Sequence, residues 1–418
     1  MHIGKIEAEF SRIMQLPKDE LADALLQMMS EMPELYQTLR KCCFCGHCTA
    51  FCEAHIDAPA RMRDWRSLFA QTGIMPEQDS KLVMVDNEWH IFSAYRAIYG
   101  VSYPQFNLLS DLAELSDAHD STDFADAAKM LQSANIDTLF FPGCSLASYA
   151  PHLVVAVGEW LNNQGINWAL SLDCCGSPLM SAGLFERSVG LRSRILQQVR
   201  TCGIKRVLTV CPGCGEELAE VFGDDIQIVP LAELLLQKSD AVALDTNAGA
   251  LTVFDSCHDR HDGRHGMAVR ALLQKAFPNK ALLQMQHCGK DTLCCGAGGA
   301  VSAFDADISN RRVWRVINEA KATGANTLVT MCPTCTYTIA FAQTQNLDDV
   351  HVQTETGVQS QILAENDSVT NDDGGLMLPS HHYLELYFNQ TINWSQVFAN
   401  LESMWTGEYA EWLSATFF

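Results

Sequence analysis

The chain has 418 residues, 48% of them hydrophobic and 19% charged, which is the balance of a globular protein of two or three domains and excludes a disordered one. The formal net charge of −22 argues against nucleic acid, whose phosphates need Lys and Arg, and against an anionic membrane surface. It is read as solubility, with steering of a basic redox partner as the sharper alternative. Seventeen cysteines, an odd number grouped in CC and CxxC pairs, point to metal in a reducing compartment. The start, Met1-His2-Ile3-Gly4-Lys5-Ile6-Glu7, has no apolar signal core, and no run of about eighteen apolar residues predicts a membrane span.

Residues 1–40 are expected to be helical. Ile6, Phe10, Ile13 and Met14 fall at helical spacing, as do Leu21, Leu25 and Met28, with Pro17 between the two segments. Next come Cys42, Cys45, Cys48 and Cys52 in the C-x2-C-x2-C-x3-C spacing of bacterial ferredoxins, which aims several sulfurs at one [4Fe-4S] cubane. Structural zinc is the alternative. Glu53 stands where ferredoxins carry Pro, and residues 53–143 hold no cysteine for a second run. The fourth ligand therefore stays open among Cys52, Cys43 and a distant thiol such as Cys202 or Cys288.

Residues 53–135 read as helix and loop without evident chemistry; their aromatics, Trp65, Trp89, Tyr95, Tyr99 and Tyr103, are expected in a core. From residue 136 the pattern changes. Short apolar runs, 137–141, 207–210, 251–254 and 327–330, each end at a cysteine and read as buried strands. Helical stretches 149–164, 185–201, 266–276 and 306–322 lie between them. The fold expected is α/β, with short, mainly parallel sheets and the cysteines at the carboxyl ends of the strands. Residues 365–375 are polar and predict a surface loop. The aromatic stretch 394–418 is either an interface core or packing on the chain's own sheet.

The cysteines past residue 136 form two pentads of the same design. Cys144 is followed after 29 residues by Cys174-Cys175-Gly176, and after 35 more by Cys211-Pro212-Gly213-Cys214. Cys257 is followed after 36 residues by Cys294-Cys295-Gly296, and after 36 more by Cys332-Pro333-Thr334-Cys335. Thiolates are soft ligands that select zinc or iron–sulfur clusters. Four would complete zinc or a cubane, so a fifth suggests a less ordinary iron–sulfur centre. Gly176 and Gly296 are read as allowing the backbone to approach a cluster, as are Gly298 and Gly299. A thioredoxin-like use of Cys332 and Cys335 is the competing reading.

These motifs resemble the CCG domains of the catalytic B subunit of heterodisulfide reductase and its D-type relatives, a domain shared with iron–sulfur subunits of anaerobic glycerol-3-phosphate, lactate and glycolate dehydrogenases. The resemblance covers roughly residues 136–390; only the first gap of the first block is slightly short. It implies two repeated CCG-type units behind a helical ferredoxin-like segment, and two noncubane [4Fe-4S] centres acting together on a disulfide. One centre would use Cys144, Cys174, Cys175, Cys211 and Cys214, the other Cys257, Cys294, Cys295, Cys332 and Cys335.

The domains expected are 1–135, 136–245, 246–390 and an extension 391–418. The function expected is an oxidoreductase subunit of a cytoplasmic or inner-face complex, carrying electrons through the cubane to the noncubane pair. His258, beside Cys257, is the candidate proton donor, with a structural histidine as the alternative. No flavin or nicotinamide motif is present, so electrons would come from a partner: a flavin, ferredoxin-like, cytochrome or quinone-reactive membrane subunit. A pure relay between a flavin dehydrogenase and quinone, and a zinc-stabilised scaffold, are the alternatives.

Overall fold

A computed structural model describes residues 3–54, 56–75, 77–117, 135–238, 249–344 and 377–417. Two four-stranded sheets dominate it, and every strand pair in both is parallel. The first holds β1 (Thr138–Phe141), β2 (Trp168–Leu170), β3 (Arg206–Thr209) and β4 (Gln227–Pro230) in the order β2-β1-β3-β4. The second holds β5 (Leu251–Phe254), β6 (Leu282–Leu283), β7 (Thr327–Thr330) and β8 (Ser380–His382) in the order β6-β5-β7-β8. The two orders are the same, so the cysteine repeat is a structural repeat.

The central strands β1, β5 and β7 are buried along their whole length, as strands covered on both faces must be, and this is why they read as runs of apolar residues and threonine without polar alternation. Helices Phe185–Thr201 and Ala306–Ala322 match the expected bounds, and Asp305 caps the latter by accepting from the Ile308 amide at 3.0 Å. The expected stretches 149–164 and 266–276 become Pro151–Asn163 and Arg264–Ala276. Strands β2, β4, β6 and β8 were not anticipated; with two to four residues each they carry little periodic signal.

One apolar core serves both repeats. Phe140, Leu208 and Val210 of the first unit share it with Leu251, Val253 and Val329 of the second. A separate core holds the N-terminal helices Ile3–Ile13, Leu21–Glu31 and Pro33–Arg40 against Trp65 and Phe69 of helix Ala58–Gln71. Met14, expected on the apolar face, is instead 55% exposed, because the first helix ends at Ile13. The C-terminal aromatics pack within the chain, though on helices and not on a sheet. Trp394 and Phe398 meet Tyr337, and the Tyr99 hydroxyl donates to the Asn400 carbonyl at 2.6 Å. The loop expected at 365–375 lies outside the described residues.

Candidate metal centres

In a sheet of order 2-1-3-4 the chain departs in opposite directions from the two middle strands, which opens a crevice at their carboxyl ends. Cys144 follows β1 and Cys211 follows β3; Cys257 follows β5 and Cys332 follows β7. Each crevice is therefore flanked by two cysteines. Cys211 precedes helix Pro212–Phe222, with Pro212 at its first turn, so Cys211 and Cys214 both sit at the helix start. Pro333 and Cys335 hold the same places in helix Pro333–Thr344. Helix-start amides and the helix dipole there favour anionic sulfur, and the Cys335 amide donates to the Cys332 sulfur.

The structure brings each pentad together. Cys174 Sγ lies 3.5 Å from Cys144 Sγ, and Cys175 contacts both Cys174 and Cys214. Cys335 Sγ lies 3.2 Å from Cys295 Sγ, and Cys257 contacts Cys294. The pentads also meet each other, with Cys211 Sγ and Cys332 Sγ 3.6 Å apart. None of the seventeen cysteines is in a disulfide. The sulfurs pack directly on one another, and among the described residues no trio of Cys, His, Asp or Glu is arranged around a single ion.

The N-terminal run docks on the second pentad. Cys43 and Cys45 both contact Cys294, and Arg260 Nε donates to the Cys45 carbonyl at 3.2 Å. Gly298 and Gly299 are the seat of this run: a Cβ on either would lie 2.3 Å from the Cys43 carbonyl oxygen or 2.0 Å from that of Cys42. Their small size thus lets backbone lie against backbone where the N-terminal run docks. Likewise a Cβ on Gly176 would meet Ser188 Oγ at 2.6 Å, and one on Gly296 would meet the Ser309 carbonyl oxygen at 2.6 Å.

Cys48 is exposed, while Cys42, Cys45 and Cys52 are half-buried. The Ile56 amide donates to Cys52 Sγ at 3.5 Å. Cys43 is buried, and Arg312 Nη1 donates to its sulfur. Cys202 caps the end of helix Phe185–Thr201, and Cys288 accepts from Gln284 Nε2 at 2.8 Å.

His258 faces Glu216, with Nδ1 2.5 Å from Oε2. Burial alone would lower its pKa, but the Glu216 hydrogen bond and charge, with Cys332 and Glu217 behind, push it up to about 9. Its charge in turn favours the thiolates of Cys175 in the first pentad and Cys332 in the second, each of which is held well below the usual thiol range first by its neighbouring thiol, Cys174 and Cys211 respectively. A cavity of about 130 Å³ opens beside it, lined by Cys45, Cys257, His258, His261, Glu216 and Phe44.

Sequence reasoning missed Glu216 and Arg312. A signal existed: counted from the aligned CxxC motifs, Glu216 stands where the second repeat has Tyr337, and Arg312 where the first has Leu191.

The profile of the CCG cysteine-rich domain matches residues 138–219 and 251–340. Both repeats are CCG domains. The chain is 25% identical over 339 residues to an uncharacterized iron–sulfur protein of Methanococcus maripaludis, covering 80% of this chain and 62% of that one. It is 24% identical over 322 residues to the D subunit of the dihydromethanophenazine:CoB–CoM heterodisulfide reductase of Methanosarcina mazei, covering 73% of each. A second uncharacterized iron–sulfur protein, from Methanocaldococcus jannaschii, is 22% identical, with 74% of this chain and 58% of that one covered. The chain thus spans less than two thirds of either uncharacterized relative. A hypothetical protein from Helicobacter pylori overlaps 94% of this chain and 73% of its own, with 11% identity and a TM-score of 0.42. That likeness is too slight to bear on the CCG domains.

Proposed function

We propose that the protein is an iron–sulfur subunit of a multisubunit redox complex of the heterodisulfide reductase kind. Cys42, Cys45 and Cys48, with Cys52 as fourth thiol, would hold a [4Fe-4S] cubane. Cys144, Cys174, Cys175, Cys211 and Cys214 would hold one noncubane [4Fe-4S] centre, and Cys257, Cys294, Cys295, Cys332 and Cys335 the other. The donor set fits such groups: the thiols are outside disulfides, buried or half-buried apart from Cys48, and approached by amides, Phe44 N to Cys42 Sγ and Gly296 N to Cys294 Sγ at 3.4 Å each. Hydrogen bonds of this kind tune sulfur-ligated clusters. When bound, the clusters supply one-electron chemistry at sulfur.

The observation that carries the reading is the contact between Cys211 and Cys332, which makes one site of two pentads. The sequence of contacts runs from the N-terminal run to the second pentad and then to the first. Reducing a disulfide to two thiols takes two electrons and two protons. The electrons come from other redox subunits. His258, next to Cys257, is the donor this reading selects, held in place by Glu216. The reading places the complex in the cytoplasm or on the inner face of a membrane through a partner. Among the described residues no helix is long and apolar enough to cross a bilayer.

A relay without substrate chemistry is the second reading, favoured by the size of the cavity: about 130 Å³, against roughly 300 Å³ or more for usual ligand sites. Anaerobic purification with native partners, followed by electron paramagnetic resonance with and without added disulfides, decides. Oxidation of the reduced protein by a disulfide supports catalysis, oxidation by quinone alone supports the relay, and zinc without iron ends both.

A further inference from the structure

Arg66 has no part in the reading above, yet it is fully buried. It projects from helix Ala58–Gln71, and among the described residues its guanidinium is hydrogen-bonded only to backbone carbonyls. Nε donates to Leu39 O at 2.9 Å. Nη2 donates to Leu39 O at 2.5 Å, Arg40 O at 3.2 Å and Cys42 O at 3.0 Å. Nη1 donates to Ser181 O at 2.5 Å and Gly299 O at 2.8 Å. One side chain thus ties the N-terminal run to the segments that follow Cys174-Cys175-Gly176 and Cys294-Cys295-Gly296.

The charge is what needs explaining. Buried charges are ordinarily paired, but among the described residues no carboxylate is bonded or ion-paired to Arg66. The guanidinium instead lies 4.6 Å from the ring centroid of Phe44. Burial draws its pKa down to about 10, with the sulfurs of Cys42 and Cys43 pulling the other way, so it stays charged at neutral pH. The groups that favour this cation are the sulfurs of Cys42 and Cys43.

We propose that Arg66 sets the reduction potential of the N-terminal [4Fe-4S] centre; this rests on the cluster assignment under Proposed function. A cluster that gains an electron gains a negative charge. A fixed cation in a water-poor interior stabilises that reduced form more than the oxidised one and raises the potential. Arg66 acts through its field and through the placement of the Cys42 backbone, so it is a positioning residue. The N-terminal centre feels it most, because the Cys42 carbonyl is itself bonded to the guanidinium.

The test is an anaerobic redox titration of the purified complex, read by electron paramagnetic resonance. Arg66→Gln should move the midpoint of the N-terminal signal to more negative potential, with smaller shifts in the two CCG centres. Arg66→Lys, which keeps the charge, should stay near wild type. Should Arg66→Gln not accumulate, a second pair decides. Phe44 has a φ of 55°, a backbone state that Asp and Asn tolerate well. Phe44→Asp sets a carboxylate by the guanidinium, and Phe44→Asn is its neutral control. The Asp variant should titrate at more negative potential than the Asn variant. An N-terminal signal whose midpoint is the same in Gln and Lys variants, or in the Asp and Asn pair, overturns the inference and leaves the cluster assignment standing. A wild-type protein without iron signals overturns both.

Discussion

Cys211 and Cys332 are 121 positions apart in the chain, yet their sulfurs are 3.6 Å apart, each placed by the strand before it and the helix after it. Two separate centres would not need this contact. If both pentads hold clusters, a change at either cysteine should be felt at both. Cys332→Ser should remove the second noncubane centre, about a third of the iron in a three-cluster protein, and alter the paramagnetic signal of the first. Iron analysis with spectroscopy on Cys332→Ser and Cys211→Ser checks this. Loss of one signal with the other unchanged would show that the two centres do not communicate.

The CCG glycines should differ in tolerance. Gly176 and Gly296 have φ of 85° and 86°, where a side chain costs about 1–2 kcal/mol before any collision. At Gly176 the colliding atom is a side-chain hydroxyl, Ser188 Oγ; at Gly296 it is a backbone oxygen, that of Ser309, which cannot turn away. Gly296→Ala should therefore be the more damaging. Ser188→Ala should restore part of the loss in Gly176→Ala, whereas Ser309→Ala should restore little in Gly296→Ala. Urea unfolding of the four variants and the two single Ser→Ala controls measures it.

His258→Gln should slow disulfide-dependent oxidation while leaving the iron content in place, because the imidazole's hydrogen-bond partner is Glu216 and not a cysteine. Glu216→Gln should slow it less, since the imidazole stays and loses only its carboxylate partner at 2.5 Å. Stopped-flow oxidation of the reduced complex reads both. An unchanged rate in His258→Gln would assign the proton to another group.

Two buried histidines should make the fold acid-sensitive. His90 Nδ1 accepts from the Ser93 amide and His382 Nδ1 from the Leu384 amide, each at 3.4 Å, so both cap helices as neutral rings. Burial is the main cause that lowers each from 6.5 to about 4. Below pH 6.5 the unfolded chain takes up these protons and the folded one does not. Stability is therefore full above about 6.5 and falls as pH drops toward 4, by at most about 3 kcal/mol per histidine. His90→Asn and His382→Asn, which can cap without titrating, should flatten the dependence between pH 6.5 and 4. Urea midpoints across that range provide the check, and an equal slope in the variants would contradict it.

Much of the site was legible because its grammar is local. The spacing of Cys211 and Cys214, or of Cys332 and Cys335, is set by one helix start, and the strands before them are short, buried runs centred on Val207-Leu208 and Leu328-Val329. What escaped reading depends on distance in the chain. Arg66 binds Gly299, 233 positions away, and nothing around Arg66 in the sequence marks it as buried. The docking of Cys45 on Cys294 is equally invisible to spacing. The seat that Gly298 and Gly299 give the N-terminal run escaped for the same reason: their neighbours are the carbonyls of Cys42 and Cys43, brought there only by the fold.

The most direct measurement is the iron and acid-labile sulfide content of the anaerobically purified protein, with its paramagnetic spectrum after stepwise reduction. The account predicts about twelve iron and twelve sulfide per chain, with one cubane signal and two further signals that change together when a disulfide is added. Zinc in place of iron, or a single four-iron centre confined to the N-terminal cysteines, would contradict it.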